Sequence, residues 1–253
     1  MRKTICMLLV LCCVVSLCAC GSTEKNKYEG NGFKSPEEAV TNYLNGLKEL
    51  DFEKMLSSFA WETQAKHYSV KAAHERINAY SPATMPRIPS NNDFLESANM
   101  HALRSREINK IYSSIEAYIL GSSFPDGKLV PLSNEDEVNA FLQKFNNDKI
   151  DKLKKLSNIR FLSPDSVTDG RFTSKNTQEA FLKSSVKYGA DEATEIVAIA
   201  DVGDELLWFC PTVVRYGSKW YIASVSSFTN GILGISGYYD GFACGKEVGE
   251  LIK

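Results

Sequence analysis

The stretch SPEEAVTNYLNGLKELDFEKMLSSF (Ser35–Phe59) decides how the fold begins. Ser35, Pro36 and Glu38 form a capping box with proline at the first helical position, which predicts a helix start. Apolar residues then recur at helical spacing, at Val40, Tyr43, Leu44, Leu47 and Leu50. Asp51 is predicted to cap a second, shorter helix that carries Phe52, Met55, Leu56 and Phe59. The N-terminal part of the fold is therefore expected to be helical.

The C-terminal half of the chain is dominated by strand-like runs. Three of them cover Thr194–Val202, Leu206–Tyr216 and Trp220–Ser226, after a short strand at Ile159–Leu162. The pairs Gly203-Asp204 and Gly217-Ser218 separate the three runs, as two-residue hairpin turns require. Both faces of the middle run are largely apolar, so we expect it to be covered on both sides. Pro211 within it indicates an edge position or a bulge.

Helical patterns occupy most of the region between these two ends. A stripe that includes Ile108, Ile111 and Ile115 predicts a long helix from about 93 to 120. Further helices are predicted over about 134–157 and 175–188, and the proline-containing residues 81–93 are predicted to form a loop. Helices thus come first and strands last, which is typical of the α+β class.

Two segments carry a resemblance to a known family. Ser35–Phe59 resembles the opening of the nuclear transport factor two-like superfamily, and VRYGSKWYIAS (Val213–Ser224) resembles the closing hairpin of its small lipoprotein members. The resemblance implies a cystatin-like α+β roll, in which N-terminal helices pack on a C-terminal curved antiparallel sheet. It further implies a single α+β domain over residues 35–230, with a large helical insertion at about 62–157.

The resemblance implies a conical cavity at the mouth of the roll but supplies no catalytic residue. The matching segments describe a helix cap and a hairpin, and neither is a functional motif. Asp191, Glu192 and Glu195 precede or begin a strand, and each is as consistent with a solvent-facing side chain as with an acid–base role. No catalytic residue is therefore assigned.

The N-terminus contains a segment with the character of a targeting signal. Leu17-Cys18-Ala19-Cys20 resembles a bacterial lipobox, and it follows a positive start and the apolar run Ile5–Leu17. We expect residues 1–19 to be a lipoprotein signal peptide, Cys20 to be the lipid attachment site and residues 20–34 to be a flexible tether. The protein would then be held by membrane lipid at the extracytoplasmic face of the cell membrane. A permanent anchor helix is the alternative, although thirteen residues are too few to span a bilayer.

The charge balance excludes one class of partner. Loss of Arg2 and Lys3 with the leader changes the formal net charge from −2 to −4, and no basic run remains. The densest group of lysines, within residues 149–155, alternates with aspartates and is typical of a solvated helix face. Nucleic acid is therefore not an expected partner, because phosphate binding requires clustered Lys and Arg.

The cysteines and histidines give no metal site. Cys210 and Cys244 are either a disulfide pair or free thiols, and neither has a metal-ligand neighbour at suitable spacing. His67 and His74 are seven residues apart, which separates them by about 10 Å along a helix, too far for one metal ion. His101 stands alone in the sequence. No metal or cofactor is predicted.

A glycine-rich C-terminal tail is predicted for residues 231–253. From Gly237 onward its glycines recur every four residues, which would place them along one face of a helix. Three interpretations remain open, namely an irregular tail, a helix packed on its own domain and a surface for self-association or for contact with the membrane. The oligomeric state is not determined by the sequence.

Three classes of function are compatible with these features. The first is an envelope lipoprotein that acts as a binding or interaction module for a small apolar ligand or another envelope protein. The second is a roll-cavity enzyme of isomerase or hydrolase type, and the third is an accessory structural lipoprotein with no ligand. If side chains from residues 93–157 fill the roll cavity, the ligand-binding and enzyme interpretations lose support.

Overall fold

The computed structural model describes five segments and several single positions. These are residues 28–69, 92–120, 151–162, 188–225 and 242–245, with positions 71, 135, 136, 139, 143, 167, 176, 179, 186, 227, 229, 230, 248 and 249. The predicted signal peptide and Cys20 lie outside the described residues. So do His74 and most of the helices predicted over 134–157 and 175–188.

Helix α1 (Pro36–Glu49) and helix α2 (Phe52–Leu56) are capped as the sequence predicts. The Glu38 amide donates to the Ser35 hydroxyl at 3.2 Å, and the Glu38 carboxylate accepts from the Lys34 amide at 2.9 Å. The Lys54 amide donates to the Asp51 carboxylate at 2.9 Å at the start of α2. Both caps satisfy amides that have no partner within the helix.

Two more helices follow. Helix α3 covers Trp61–His67, and helix α4 covers Asp93–Leu120, with the bounds that the apolar stripe predicted. The residue before α3 is Ala60, which has no side chain that can cap the helix. A short helical stretch at residues 151–154 then leads into the first strand.

The described part of the chain contains seven strands, and every pairing between them is antiparallel. They are β1 (Leu156–Leu162), β2 (Glu192–Glu195), β3 (Val197–Val202), β4 (Glu205–Phe209), β5 (Thr212–Tyr216), β6 (Lys219–Ser224) and β7 (Phe242–Gly245). Hydrogen bonds join them in the orders β1-β3-β4-β7 and β2-β5-β6. Together with the helices, they make the α+β class that the sequence predicted.

The two sheets share one long bent hairpin. Its cross-strand partners are Val202–Glu205, Ala198–Phe209, Glu195–Thr212 and Glu192–Arg215, which is one unbroken register. The Ile196 amide donates to the Pro211 carbonyl at 3.2 Å and continues this register between the sheets. Pro211 has no amide hydrogen, so β4 and β5 separate at this position. The run predicted over Leu206–Tyr216 is therefore two strands, with the expected proline at their junction.

One predicted boundary is wrong, and one of the interpretations left open for the tail is excluded at residues 242–245. Strand β1 begins at Leu156, inside the predicted helix, and Asn158 takes a left-handed φ of 50° at an irregularity in its pairing. Strand β7 lies within the predicted glycine-rich tail and pairs with β4, so residues 242–245 are not helical. The edge of β4 offers a row of hydrogen-bond partners that the glycine spacing did not reveal.

The core lies between the helices and one face of this bent sheet. The Tyr43 ring of α1 stacks on Phe209 of β4 at 4.9 Å, and Phe209 stacks on Phe242 of β7 at 4.5 Å between ring centroids. Ile111 and Ile115 of α4 join the same cluster. A second cluster, which includes Trp208 and Cys210, covers the opposite face. The middle of the hairpin is thus covered on both sides, as predicted.

Replacement of Tyr43 tests this core. Tyr43 is 0% exposed, and its truncation would leave a cavity beside two aromatic rings. We expect Tyr43→Ala to lower the free energy of unfolding by about 3–5 kcal/mol, measured by urea titration. Tyr112→Ala is the control, because Tyr112 is half exposed on α4 and should cost about 1 kcal/mol or less. Equal losses in the two variants would contradict the packing described.

Candidate functional site

Side chains occupy the space where the roll was expected to hold a cavity. Tyr43, Phe209, Phe242, Ile111 and Ile115 meet there, and none is more than 8% exposed. Two of the five come from α4, which belongs to the predicted helical insertion. These side chains belong to one packed cluster of buried hydrophobic residues.

Residues 28–34, called here the N-terminal strap, belong to the folded domain. The Phe33 amide donates to the Trp220 carbonyl at 3.0 Å, and the Trp220 amide donates back at 2.8 Å. Gly30 packs so closely on α2 that an added Cβ would lie 2.6 Å from the Ser57 carbonyl oxygen. The sequence assigned this segment to a flexible tether because it is polar. That boundary is wrong, since two aromatic residues and a close glycine contact hold the strap in place.

Tyr28 is fixed between α3 and α4. Its hydroxyl lies 2.7 Å from the Ser97 hydroxyl, and its ring meets the His101 ring edge-on at 5.2 Å. The Arg104 guanidinium donates to the Tyr28 carbonyl and also binds the Glu53 carboxylate at 2.6 Å. These contacts hold the strap to the helical part of the molecule.

Glu29 supplies the cap that α3 lacks in its own sequence. Its carboxylate accepts from the amides of Glu62 and Thr63 at 2.7 and 2.9 Å, and from the Thr63 hydroxyl. Ala60, at the N-cap position, cannot make these bonds. Burial raises the pKa of the Glu29 carboxyl, against the opposing effect of these hydrogen bonds. The strap therefore stabilises α3 through a partly buried acid.

An open groove of about 280 Å³ lies between Tyr28, α3 and the start of α4. We call it the strap groove. Its lining comprises Tyr28, Glu62, Ala65, Lys66, Asp93, Glu96, Ser97 and Met100. Three carboxylates face one ammonium group, so the groove is acidic, and Ala65 and Met100 give it buried apolar surface. It is a surface suited to binding, with no nucleophile–base pair among these residues.

A group of aromatic residues lies on the other side of α3. The Tyr216 hydroxyl donates to the Tyr188 carbonyl at 2.8 Å, and the Tyr216 ring lies 5.3 Å from the His67 ring. Burial raises the pKa of the Tyr216 phenol, which keeps it neutral. The His67 Nδ1 lies 2.8 Å from the Thr63 carbonyl and is assigned as the protonated nitrogen. These contacts are structural, because the phenol proton is already donated to the backbone.

The three acids considered from the sequence do not converge. Asp191 accepts from the Gly217 amide at 2.6 Å, and Glu192 binds Arg215 at 3.1 Å, both at the exposed end of β2. Glu195 is buried and accepts from the Thr229 amide at 2.9 Å. Asp191 and Glu192 share the Arg215 guanidinium, at 3.9 and 3.1 Å, whereas Glu195 is bound elsewhere, so the three carboxylates do not form one site.

A buried polar contact at the sheet bend was not foreseen from the sequence. Asn230 is 3% exposed. Its side-chain carbonyl accepts from the Trp208 indole at 2.9 Å, and its side-chain amide nitrogen donates to the Cys210 backbone carbonyl at 3.3 Å. Cys210 lies next to Pro211, where the ladder is interrupted. The Asn230 side chain therefore satisfies a carbonyl that the bend would leave without a partner. A single asparagine in a polar stretch gives no sequence signal for this role.

Cys210 is a free, buried thiol. Cys244 pairs with Leu207, three positions along the strand from Cys210. Three positions span about 10 Å, whereas a disulfide needs Cα atoms no more than about 6.8 Å apart. Of the two states that the sequence left open, the structure therefore has the free thiol at Cys210. Burial raises the pKa of this thiol, and the nearby Glu195 raises it further.

The histidines are not assembled into a metal site among the described residues. His67 is on α3 and His101 is on α4 against Tyr28, while His74 lies outside the described residues. No cluster of three or more potential ligands is found in the described part of the chain. The same residues include no helix that is long and apolar enough to cross a membrane.

Comparison with known proteins gives one distant similarity. No family model matches the chain, and no curated protein matches it. A solved structure, that of a cystatin-like protein from Ruminococcus gnavus ATCC 29149, is similar at 15% identity with a TM-score of 0.41. The match covers 76% of this chain and 40% of that protein, so the chain spans about two fifths of its length. This similarity is too distant to transfer a residue role or a function.

The strap makes a pH-dependent contribution to stability. Because the pKa of Glu29 is raised in the folded state, its contribution to stability is greatest at pH values below the ordinary glutamate pKa. That contribution falls as pH rises through the folded-state pKa. We therefore expect the melting temperature of the wild type, relative to that of Glu29→Gln, to fall as the pH is raised from below about 4.

Asp201→Asn is the control of opposite sign. Hydrogen bonds from Asn158 and Arg160 lower the pKa of Asp201. Its contribution to stability is therefore present at pH values above the ordinary aspartate pKa and is lost on acidification. Thermal unfolding of the three proteins over the same pH series provides the measurement. Parallel curves for Glu29→Gln and the wild type would show that the strap carboxyl is not buried as described.

The Cys210 thiol should be unreactive in the native protein. Its burial and raised pKa leave almost no accessible thiolate. In a Cys244→Ser background, we expect a thiol reagent to modify Cys210 only after denaturation, as measured by mass spectrometry. Rapid native modification, equal to that in denaturant, would contradict this position in the core.

Proposed function

We propose that this chain is a lipid-anchored interaction module at the extracytoplasmic face of the cell membrane, which binds another envelope protein through its surface. The lipobox-like Leu17–Cys20 supports the anchor. The absence of a basic run disfavours nucleic acid as a partner. The buried side chains that fill the interior favour a protein partner over a small ligand.

The observation that carries this proposal is the packing of Ile111 and Ile115 against Tyr43, Phe209 and Phe242. An enzyme or a small-ligand carrier built on a roll would need that interior space for its substrate. Here the space is occupied by well-packed side chains, and their removal would cost several kcal/mol. Binding at the outer surface remains compatible with this core, and the strap groove offers such a surface.

Lipid attachment at Cys20 is the first part to test. Cells that express the full chain are grown with labelled palmitate, and incorporation into the protein is measured after gel separation. We expect Cys20→Ser to abolish incorporation, because the lipid is attached to the cysteine sulfur. Cys18→Ser is the matched control and should retain the label, because serine is also small and Leu17, Ala19 and Cys20 are unchanged. Labelling that survives in Cys20→Ser would exclude this residue as the anchor.

The interaction role is tested separately by native mass spectrometry of the full chain released from neutral detergent. We expect the mass of the processed, lipid-modified chain with no additional small molecule. A mass excess that disappears on denaturation would indicate a retained ligand, and it would favour the small-ligand interpretation over a protein partner.

A further inference from the structure

The strap groove is tied to the proposed anchor by a short length of chain. Tyr28 forms one wall of the groove, and eight residue steps separate it from Cys20. Even a fully extended chain of that length spans at most about 29 Å. If Cys20 carries the lipid, as proposed above, the groove lies within that distance of the lipid attachment point.

The strap cannot leave the groove without loss of other contacts. Glu29 caps α3 immediately after Tyr28, and Phe33 exchanges two backbone hydrogen bonds with Trp220. Tyr28 itself is bonded to Ser97 and Arg104 of α4. The groove therefore stays within that distance of the attachment point.

The chemistry of the groove favours a cationic and partly apolar partner. Its charged residues are Glu62, Asp93 and Glu96 against Lys66, a net charge of −2. Phe94 and Leu95 follow Asp93 in α4, and they are 78% and 47% exposed. Phe94 follows the lining residue Asp93 along the helix, so it can extend the apolar surface that Ala65 and Met100 give the groove.

The volume and the charge of the strap groove further restrict the kind of ligand that it can bind. A volume of about 280 Å³ is at the lower end for small-molecule sites and suits a few side chains of a polypeptide. A membrane surface could accept Phe94, but anionic headgroups would be repelled by the groove carboxylates. Opposite charge instead attracts lysine or arginine and excludes acidic partners.

We propose that the strap groove and the adjacent Phe94 are the docking site for a polypeptide segment that carries Lys or Arg beside an apolar side chain. The cation binds at Asp93 and Glu96, and the apolar side chain packs on Phe94. A partner that is itself held at the membrane presents this segment at the height of the groove. This inference rests on the proposed function for its placement, but the recognition chemistry comes from the groove.

A peptide-binding measurement tests the recognition chemistry. The full chain in neutral detergent is titrated into a fluorescent lysine-rich peptide that contains phenylalanine, and anisotropy is recorded. A glutamate-rich counterpart of the same length serves as the negative probe. Because both partners are in solution, the result does not depend on the anchor, whose failure would appear in the palmitate experiment.

Two groove variants have matched controls. Asp93→Asn with Glu96→Gln removes two groove charges, and Asp151→Asn with Asp204→Asn removes two exposed charges elsewhere. Phe94→Ser is matched by Val186→Ser, another largely exposed apolar residue. We expect each groove variant to weaken binding by roughly fivefold or more, with changes in the controls of less than about twofold.

Three outcomes would overturn the proposal. The first is equal binding by the groove variants and their controls. The second is an effect of Phe94→Ser on binding to phosphatidylglycerol vesicles with none on the peptide, which would assign the surface to the membrane. The third is a change of sedimentation in the groove variants alone, which would assign it to a second copy of this chain.

Discussion

The bend of the hairpin at Pro211 is the constraint on which the rest of the fold depends. A proline cannot donate to the ladder, so β4 and β5 turn apart while their pairing with β3 and β2 keeps one register. The bend gives the sheet its two edges, one for β6 and one for β7. It also leaves the Cys210 carbonyl to be satisfied by Asn230. The hairpin therefore bends, and the carbonyl left over by the bend finds its hydrogen-bond partner, at the same position.

The bent sheet determines what the helices can do. Its inner residues close on α1, where the rings of Tyr43, Phe209 and Phe242 stack on one another as a group of three. Helix α4, which lies within the predicted insertion, then adds Ile111 and Ile115 to this core. The insertion is therefore part of the central packing. Among the described residues, apolar side chains fill the space between α1, α4 and the sheet.

The strap connects this surface to the start of the domain. Glu29 caps α3, and Tyr28 forms a wall of the groove between α3 and α4. A few residues thus stabilise a helix, shape a groove and determine how far that groove can lie from the proposed anchor. The strap therefore links the stability of α3 to the shape of the groove.

Local chemistry in the sequence predicted the elements that depend on neighbours along the chain. The Ser35 and Asp51 caps, the long stripe of α4, the hairpin turns and the effect of Pro211 all act within a few residues, and each is present. The α+β order follows from the change of hydrophobic period. A candidate anchor at Cys20 is also a local pattern, and it stays a prediction.

Tertiary structure alone decided the features that need distant partners. Strand β7 forms because the edge of β4 is open, although its glycines suggested a helix. Glu29 finds its partners thirty-three and thirty-four residues away, so a polar segment that reads as a tether becomes a strap. The strap groove likewise depends on contacts between Tyr28 and α4, which are far apart in the sequence. Periodicity describes one segment at a time, whereas these contacts are chosen by the burial and hydrogen bonding of the whole domain.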